Sequence, residues 1–169
     1  MNALLKQMIT VSSNEAANGL LSRIGNGDGK AAIATVTATA QRYGFTSSEE
    51  LRTLTGMASG NAVENWTSTR DCGSFLSQGY AGTLVSKNAS ERMMQLLLGQ
   101  TRRTKIPAGV PSGVKVANKT GELAAVQNDV AIVFGTHPYV LAVMSSDISS
   151  AVAPSQITEL SRAVWDAAQ

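Results

Sequence analysis

Two polar triplets more than a hundred positions apart carry residue types from which a ligand site could be built. They are Ser12-Ser13-Asn14 and Lys119-Thr120-Gly121. A hydroxyl, a carboxamide, and an ammonium beside a second hydroxyl supply hydrogen-bond donors and one positive charge. Each triplet also has an ordinary structural explanation. Ser12 and Asn14 could cap a helix starting near residue 14, and Lys119-Thr120-Gly121-Glu122 could be a strand end entering a turn. Other chemistries are poorly served. Cys72 is the lone cysteine and His137 the lone histidine, which excludes an internal disulfide, a cysteine-based structural zinc site and a multi-histidine metal centre. Cys72 is expected as a small buried thiol on the helix after Thr69, and His137 as an exposed turn residue before Pro138. Trp66 and Trp165 are read as packing residues. No metal and no cofactor is expected.

The elements that must position these triplets fall into two parts. Residues 1–105 are mainly helical. Asn14 to Leu21 reads as a helix start, with Asn14 as cap and Glu15 in the first turn. Gly25 to Gly29 is a loop, and Ile33, Val36, Ala40 and Tyr43 form a stripe closed by Gly44. A further helix is expected over 86–98, where Met93, Met94, Leu96, Leu97 and Leu98 are too apolar for a solvated face. Residues 106–169 change period. Val114 to Lys119 alternates like a strand after the breakers Pro107, Gly109, Pro111 and Gly113. Val126 to Phe134 and Tyr139 to Met144 are two more strands, joined by Gly135-Thr136-His137-Pro138. Pro154 suits the first turn of a last helix with Ile157, Leu160 and Val164 on one face. Helices, a three-strand antiparallel meander and a terminal helix make an α+β chain.

Composition agrees with one domain. The chain has 169 residues, of which 43% are hydrophobic and 15% charged, with a net charge of +2. No apolar stretch approaches the roughly 18 residues of a membrane span, and no basic block suggests nucleic acid. Met1 to Ile9 lacks the features of a secretory signal.

The segments Met8 to Asn18 and Ile106 to Glu122 resemble the second and third signature motifs of the penicillin-recognising serine hydrolases, which include class A β-lactamases and penicillin-binding D,D-peptidases. Ser12-Ser13-Asn14 matches S-x-N, and Lys119-Thr120-Gly121 matches K-T-G on a strand. Their order, their Met-Ile-Thr-Val and Ile-Pro-Ala-Gly contexts, and helices preceding strands extend the resemblance over essentially the whole chain. It implies a β-lactamase/transpeptidase-like fold and catalytic roles for Ser12 and Lys119. Ser12 would pass a proton between nucleophile and leaving nitrogen, and Lys119 would bring charge beside Ser12 and the ligand carboxylate. Asn14 would bind the ligand's acylamide carbonyl, and Thr120 its carboxylate. Gly121 would let an extended ligand approach the strand, and the Leu123 N–H would complete the oxyanion hole.

The chain also departs from that pattern. The family's nucleophile opens an S-x-x-K helix before S-x-N, but no serine precedes Ser12. The single formal match, Ser112-Gly113-Val114-Lys115, lies in a Pro/Gly-rich approach to a strand. The nucleophile is therefore expected to be missing, and the chain to be an N-terminally truncated, incomplete-sheet form of one β-lactamase-like domain. Thr46 to Thr69 holds Glu49, Glu50 and Glu64 without the E-x-x-L-N element of the deacylating loop; Glu50-Leu51-Arg52 and Glu64-Asn65-Trp66 are imperfect echoes of it and read as solvated charges or caps. Ser13 stands where class A enzymes usually carry aspartate. The expected function is that of a β-lactamase-like serine hydrolase, inactive alone. The alternatives are a D,D-peptidase-like protein and a catalytically dead module binding peptidoglycan or another carboxylate. The implied partners are a β-lactam or a peptidoglycan stem peptide, with self-association through an exposed sheet edge. The family works outside the cytoplasmic membrane.

Overall fold

A computed structural model describes residues 1–54 and 64–169. Short polar side chains start most of the helices. Ser13 accepts the Ala16 N–H at the start of α2 (Asn14–Ile24), and Asp28 accepts those of Lys30 and Ala31 at α3 (Gly29–Arg42). Ser68 caps α4 (Thr69–Ala81) and Ser86 caps α5 (Lys87–Leu98). Each such bond satisfies an amide that the first turn leaves unpaired. A helix that the sequence reading did not anticipate, α1 (Asn2–Thr10), precedes them. The cap of α2 is also corrected: it is Ser13, which leaves the Ser12 and Asn14 side chains free of that task.

A 3₁₀ turn, Ile106–Gly109, leads into β1 (Lys115–Leu123), β2 (Val126–Phe134) and β3 (Tyr139–Val143), and α6 (Ala153–Ala168) follows. The strands form an antiparallel sheet in the order β1-β2-β3. Lys119 faces Val130, and Leu123 faces Val126 across a two-residue turn. β1 thus runs past Lys119-Thr120-Gly121, and the triplet lies inside a paired strand rather than at its end.

Alternation along the strands makes two cores. Ala117 and Ile132 pack with Leu76, Met94 and Leu97 of α4 and α5. On the other face, Val116, Ala131 and Val133 pack with Ile106 and Ile157. Lys119 shares the parity of Ala117 and so points toward the helical part, where Ser12 lies. On α6 the buried residues are Ala153, Ile157 and Ser161, whereas Leu160 is exposed. The predicted Ile157-Leu160-Val164 stripe is therefore rotated. The buried hydroxyl of Ser161 donates to the Ile106 carbonyl at 2.9 Å, a bond that makes a polar residue acceptable on the packed face. Gly109 permits that approach, since a Cβ there would meet the Thr158 carbonyl at 2.4 Å.

Candidate active site

Ser12 sits in the turn between α1 and α2 with φ 57°, a left-handed conformation that costs a β-carbon residue energy. The turn is pinned from outside. Gln100 Nε2 donates to the Ile9 carbonyl at 2.7 Å, and the Thr101 hydroxyl and amide both donate to the Thr10 carbonyl. The segment after α5 thereby fixes Ser12 relative to β1. Across 107 positions of sequence, Lys119 Nζ donates to Ser12 Oγ at 2.5 Å. It also donates to the Thr120 carbonyl at 2.5 Å.

These groups open onto a cleft of about 480 Å³ lined by Ser12, Asn14, Lys119, Thr120, Gly121 and Leu123, together with Arg52, Arg102, Glu122 and Asn128. All six candidate residues read from the sequence share this one cavity. Burial pulls the Lys119 ammonium below its ordinary pKa, and Arg102 adds to the depression, while Glu122 and Asp129 oppose it. A depressed pKa makes Lys119 a readier proton donor than a solvated lysine.

Charge around the cleft is organised by residues that the sequence reading passed over. Lys105 is buried, with its side chain 1% exposed, and pairs with Glu122 at 3.0 Å. It also donates to the Asn128 carbonyl at 3.2 Å. Arg102 pairs with the same Glu122 carboxylate. Asp129, fully buried, accepts the Ile106 amide and Asn118 Nδ2, each at 3.0 Å. Burial nevertheless raises its pKa to about 6. The closeness of Arg102, Lys105, Glu122 and Asp129 depends on pairings between distant segments, so spacing alone gave no sign of it.

Glu49 is exposed, as a solvated charge would be, but Glu50 and Glu64 are engaged by neighbouring side chains. Glu50 is half-buried; desolvation raises its pKa against the opposing effects of Arg52 and Asn65. Asn65 Oδ1 accepts the Leu51 and Arg52 amides, and Arg52 pairs with Glu64 at 2.7 Å. Among the described residues, Glu122 is the only carboxylate lining the cleft. The rest of that stretch, residues 55–63, lies outside the described residues. Cys72 is half-buried on α4, 3.4 Å from Thr67 Oγ1, and burial pushes its thiol pKa up. His137 is exposed. Trp66 is 65% exposed and joins Glu49 through a backbone bridge, so it is not a packing residue.

The pairing in the β1–β2 hairpin also orients the amides of the strand. In a two-residue turn the closing pair exchanges hydrogen bonds, and here that pair is Leu123 and Val126. The Leu123 N–H therefore faces β2, and alternation turns the Glu122 N–H to the open edge of β1.

Comparison with known proteins agrees with this architecture. No curated protein matches the chain significantly. A β-lactamase from Sphaerobacter thermophilus superposes with a TM-score of 0.89 at 24% identity, over 99% of this chain and 62% of its own; at that identity the likeness concerns the fold alone. PBP-A superposes with a TM-score of 0.85 at 26% identity, over 98% of this chain and 60% of its own. A β-lactamase from Desulfarculus baarsii gives 0.83 at 25%, over 98% and 62%. The chain thus spans about six tenths of the length of these solved structures. The model of the beta-lactamase enzyme family matches residues 1–168. With S-x-N and K-T-G elements meeting in one cleft and a family match over nearly its full length, the chain belongs to the beta-lactamase enzyme family.

Proposed function

We propose that residues 1–169 act as one β-lactamase-like unit whose cleft binds β-lactams by their carboxylate and carries the proton-relay half of an acyl-transfer site. The observation that carries this reading is the 2.5 Å contact between Lys119 Nζ and Ser12 Oγ in a cavity that also holds Asn14 and Thr120. When a lactam amide is cleaved, the nucleophile's oxygen bonds to the carbonyl carbon, the C–N bond breaks and the nitrogen needs a proton. Ser12 hands its hydroxyl proton to that nitrogen and takes one from Lys119. The nucleophile's own proton then returns to the relay, which restores Lys119. Asn14 donates to the acylamide carbonyl, Thr120 donates to the ligand carboxylate, and Gly121 leaves room beside the strand. The hairpin register supports the Glu122 amide, in place of that of Leu123, as the oxyanion donor.

Among the described residues the one formal S-x-x-K match does not supply a nucleophile to this cleft. Ser112 and Lys115 are both exposed and flank Gly113 at φ 92° ahead of β1, so they share no helical face. The chain is therefore read as binding without acylation. Its cleft carboxylate, Glu122, is engaged by Arg102 and Lys105 and is not a free base for deacylation. The likeness to PBP-A, as high as that to the β-lactamases, supports as a second reading a D,D-peptidase-like protein or a dead binding module, for which we propose peptidoglycan stem peptides as ligands. Among the described residues no helix is long and apolar enough to cross a membrane, and the family resemblance supports a protein of the cell envelope or its exterior.

Nitrocefin turnover and the intact mass of the chain after incubation with benzylpenicillin test the reading. It predicts neither turnover nor a mass increase, together with saturable binding that Lys119→Met abolishes. A covalent adduct overturns the missing nucleophile, and the absence of saturable binding overturns the cleft.

A further inference from the structure

We infer that Glu122 is a built-in competitor for the ligand's carboxylate and so a specificity-determining residue of the cleft, an inference that rests on the carboxylate-binding reading above. Among the described residues three cations line the cavity: Arg52, Arg102 and Lys119. Arg52 already holds Glu64 at 2.7 Å, and Arg102 already holds Glu122. Among the described residues Lys119 has a hydroxyl and a carbonyl, and no carboxylate, as hydrogen-bond partners.

The position of Glu122 is enforced from below. One carboxylate oxygen is anchored at 3.0 Å by Lys105, a cation too buried for any ligand to reach. The other oxygen is directed to Arg102, whose side chain is 48% exposed and accessible from the cleft. The charges of both Arg102 and Glu122 act on Lys119, so the internal pair lies close to the anchor of the K-T-G strand. A carboxylate arriving at Thr120 and Lys119 therefore meets a like charge two residues along the strand, and finds the exposed guanidinium occupied. Arg–carboxylate pairs are directional and strong, and a second carboxylate gains that partner only by displacing the first. Glu122 thus lowers the affinity of the cleft for anionic ligands relative to neutral ones of the same shape.

The test is calorimetric titration of the folded chain with acetyl-D-alanyl-D-alanine and with its C-terminal amide. Glu122→Gln keeps an acceptor for Lys105 and removes the competing charge. It is expected to bind the acid about five- to tenfold tighter than the unaltered chain, a gain set by one partly exposed charge-assisted bond, with the amide unchanged. Arg102→Gln in the Glu122→Gln background should cancel the gain. If Glu122→Gln alone leaves Lys105 uncompensated and fails to fold, Lys105→Met with Glu122→Gln removes the buried cation as well and should show the same preference for the acid. Equal affinity for the acid in the unaltered chain and the variants, or an equal gain for the amide, overturns the inference while leaving the cleft reading intact. Failure of the unaltered chain and of every variant to bind either ligand overturns this inference, whereas the cleft reading itself falls only if benzylpenicillin also fails to bind.

Discussion

Asp129 links the site's electrostatics to folding in a way that can be measured. Its carboxyl is fully buried on the α6 side of the sheet, between the Ile106 amide and Asn118 Nδ2. Desolvation outweighs those two bonds and nearby Lys105, so its pKa rises from 3.8 to about 6. A raised carboxylate pKa means that the folded state binds a proton that the unfolded state has already released. The contribution of Asp129 to stability is then greatest below pH 3.8, falls as pH rises through the window up to about 6, and is flat above it. The rise corresponds to about 3 kcal/mol. Asp129→Asn removes the titration while keeping one acceptor, at a pH-independent cost of about 1–3 kcal/mol for the donor left unmatched. Urea unfolding of both proteins from pH 4 to pH 7 isolates the effect, because the other titrating groups, including the oppositely shifted Glu122, cancel in the difference. The stability advantage of the unaltered chain over Asp129→Asn should shrink by about 2 kcal/mol across that range, the remainder of the change lying below pH 4. A difference that stays constant would refute the claim that burial, rather than ion pairing with Lys105, governs this carboxyl.

Other expectations follow from particular contacts. Ser12→Ala and Ser12→Gly both lose the bond to Lys119, yet only glycine relieves the left-handed backbone. The glycine variant should therefore be about 1 kcal/mol more stable than the alanine variant in denaturant titrations, and equal stability would mean that the turn is unstrained. Gly109→Ala forces a Cβ against the backbone of α6 and should cost about 1–3 kcal/mol, read by the unfolding midpoint and by Trp165 fluorescence. β3 pairs only with β2 among the described residues, and all five of its residues are half-buried. An edge of that kind should associate, so sedimentation velocity should show concentration-dependent species; a monodisperse monomer at high concentration would count against it.

The meander and the last helix were legible because alternation and turn residues are local signals. Val126 to Phe134 reads as a strand from its apolar run, and Pro154 marks the first turn of α6. Where the reading slipped, competing local options were decided by contacts from afar. Ser13 and Asn14 are both good caps, and the pinned turn at Ser12 selects Ser13. β1 continues beyond Lys119 because β2 offers a partner out to Val126. Ile157 and Leu160 both suit a packed face, but the close approach of Gly109 to Thr158 and Ser161 sets the rotation of α6. At the site, the motif residues stood out by type and order. Lys105 and Glu122 did not, since an isolated lysine and glutamate read as surface charge until the fold brings them together.

The claim on which the account depends is that Ser12, Asn14 and the β1 strand line a single carboxylate-binding groove. Amide chemical-shift mapping during a benzylpenicillin titration addresses it most directly. The account predicts saturable shifts at Ser12, Asn14 and Lys119 through Leu123 with one common dissociation constant. Shifts confined to one of the two segments, or spread over surfaces away from both, would contradict it.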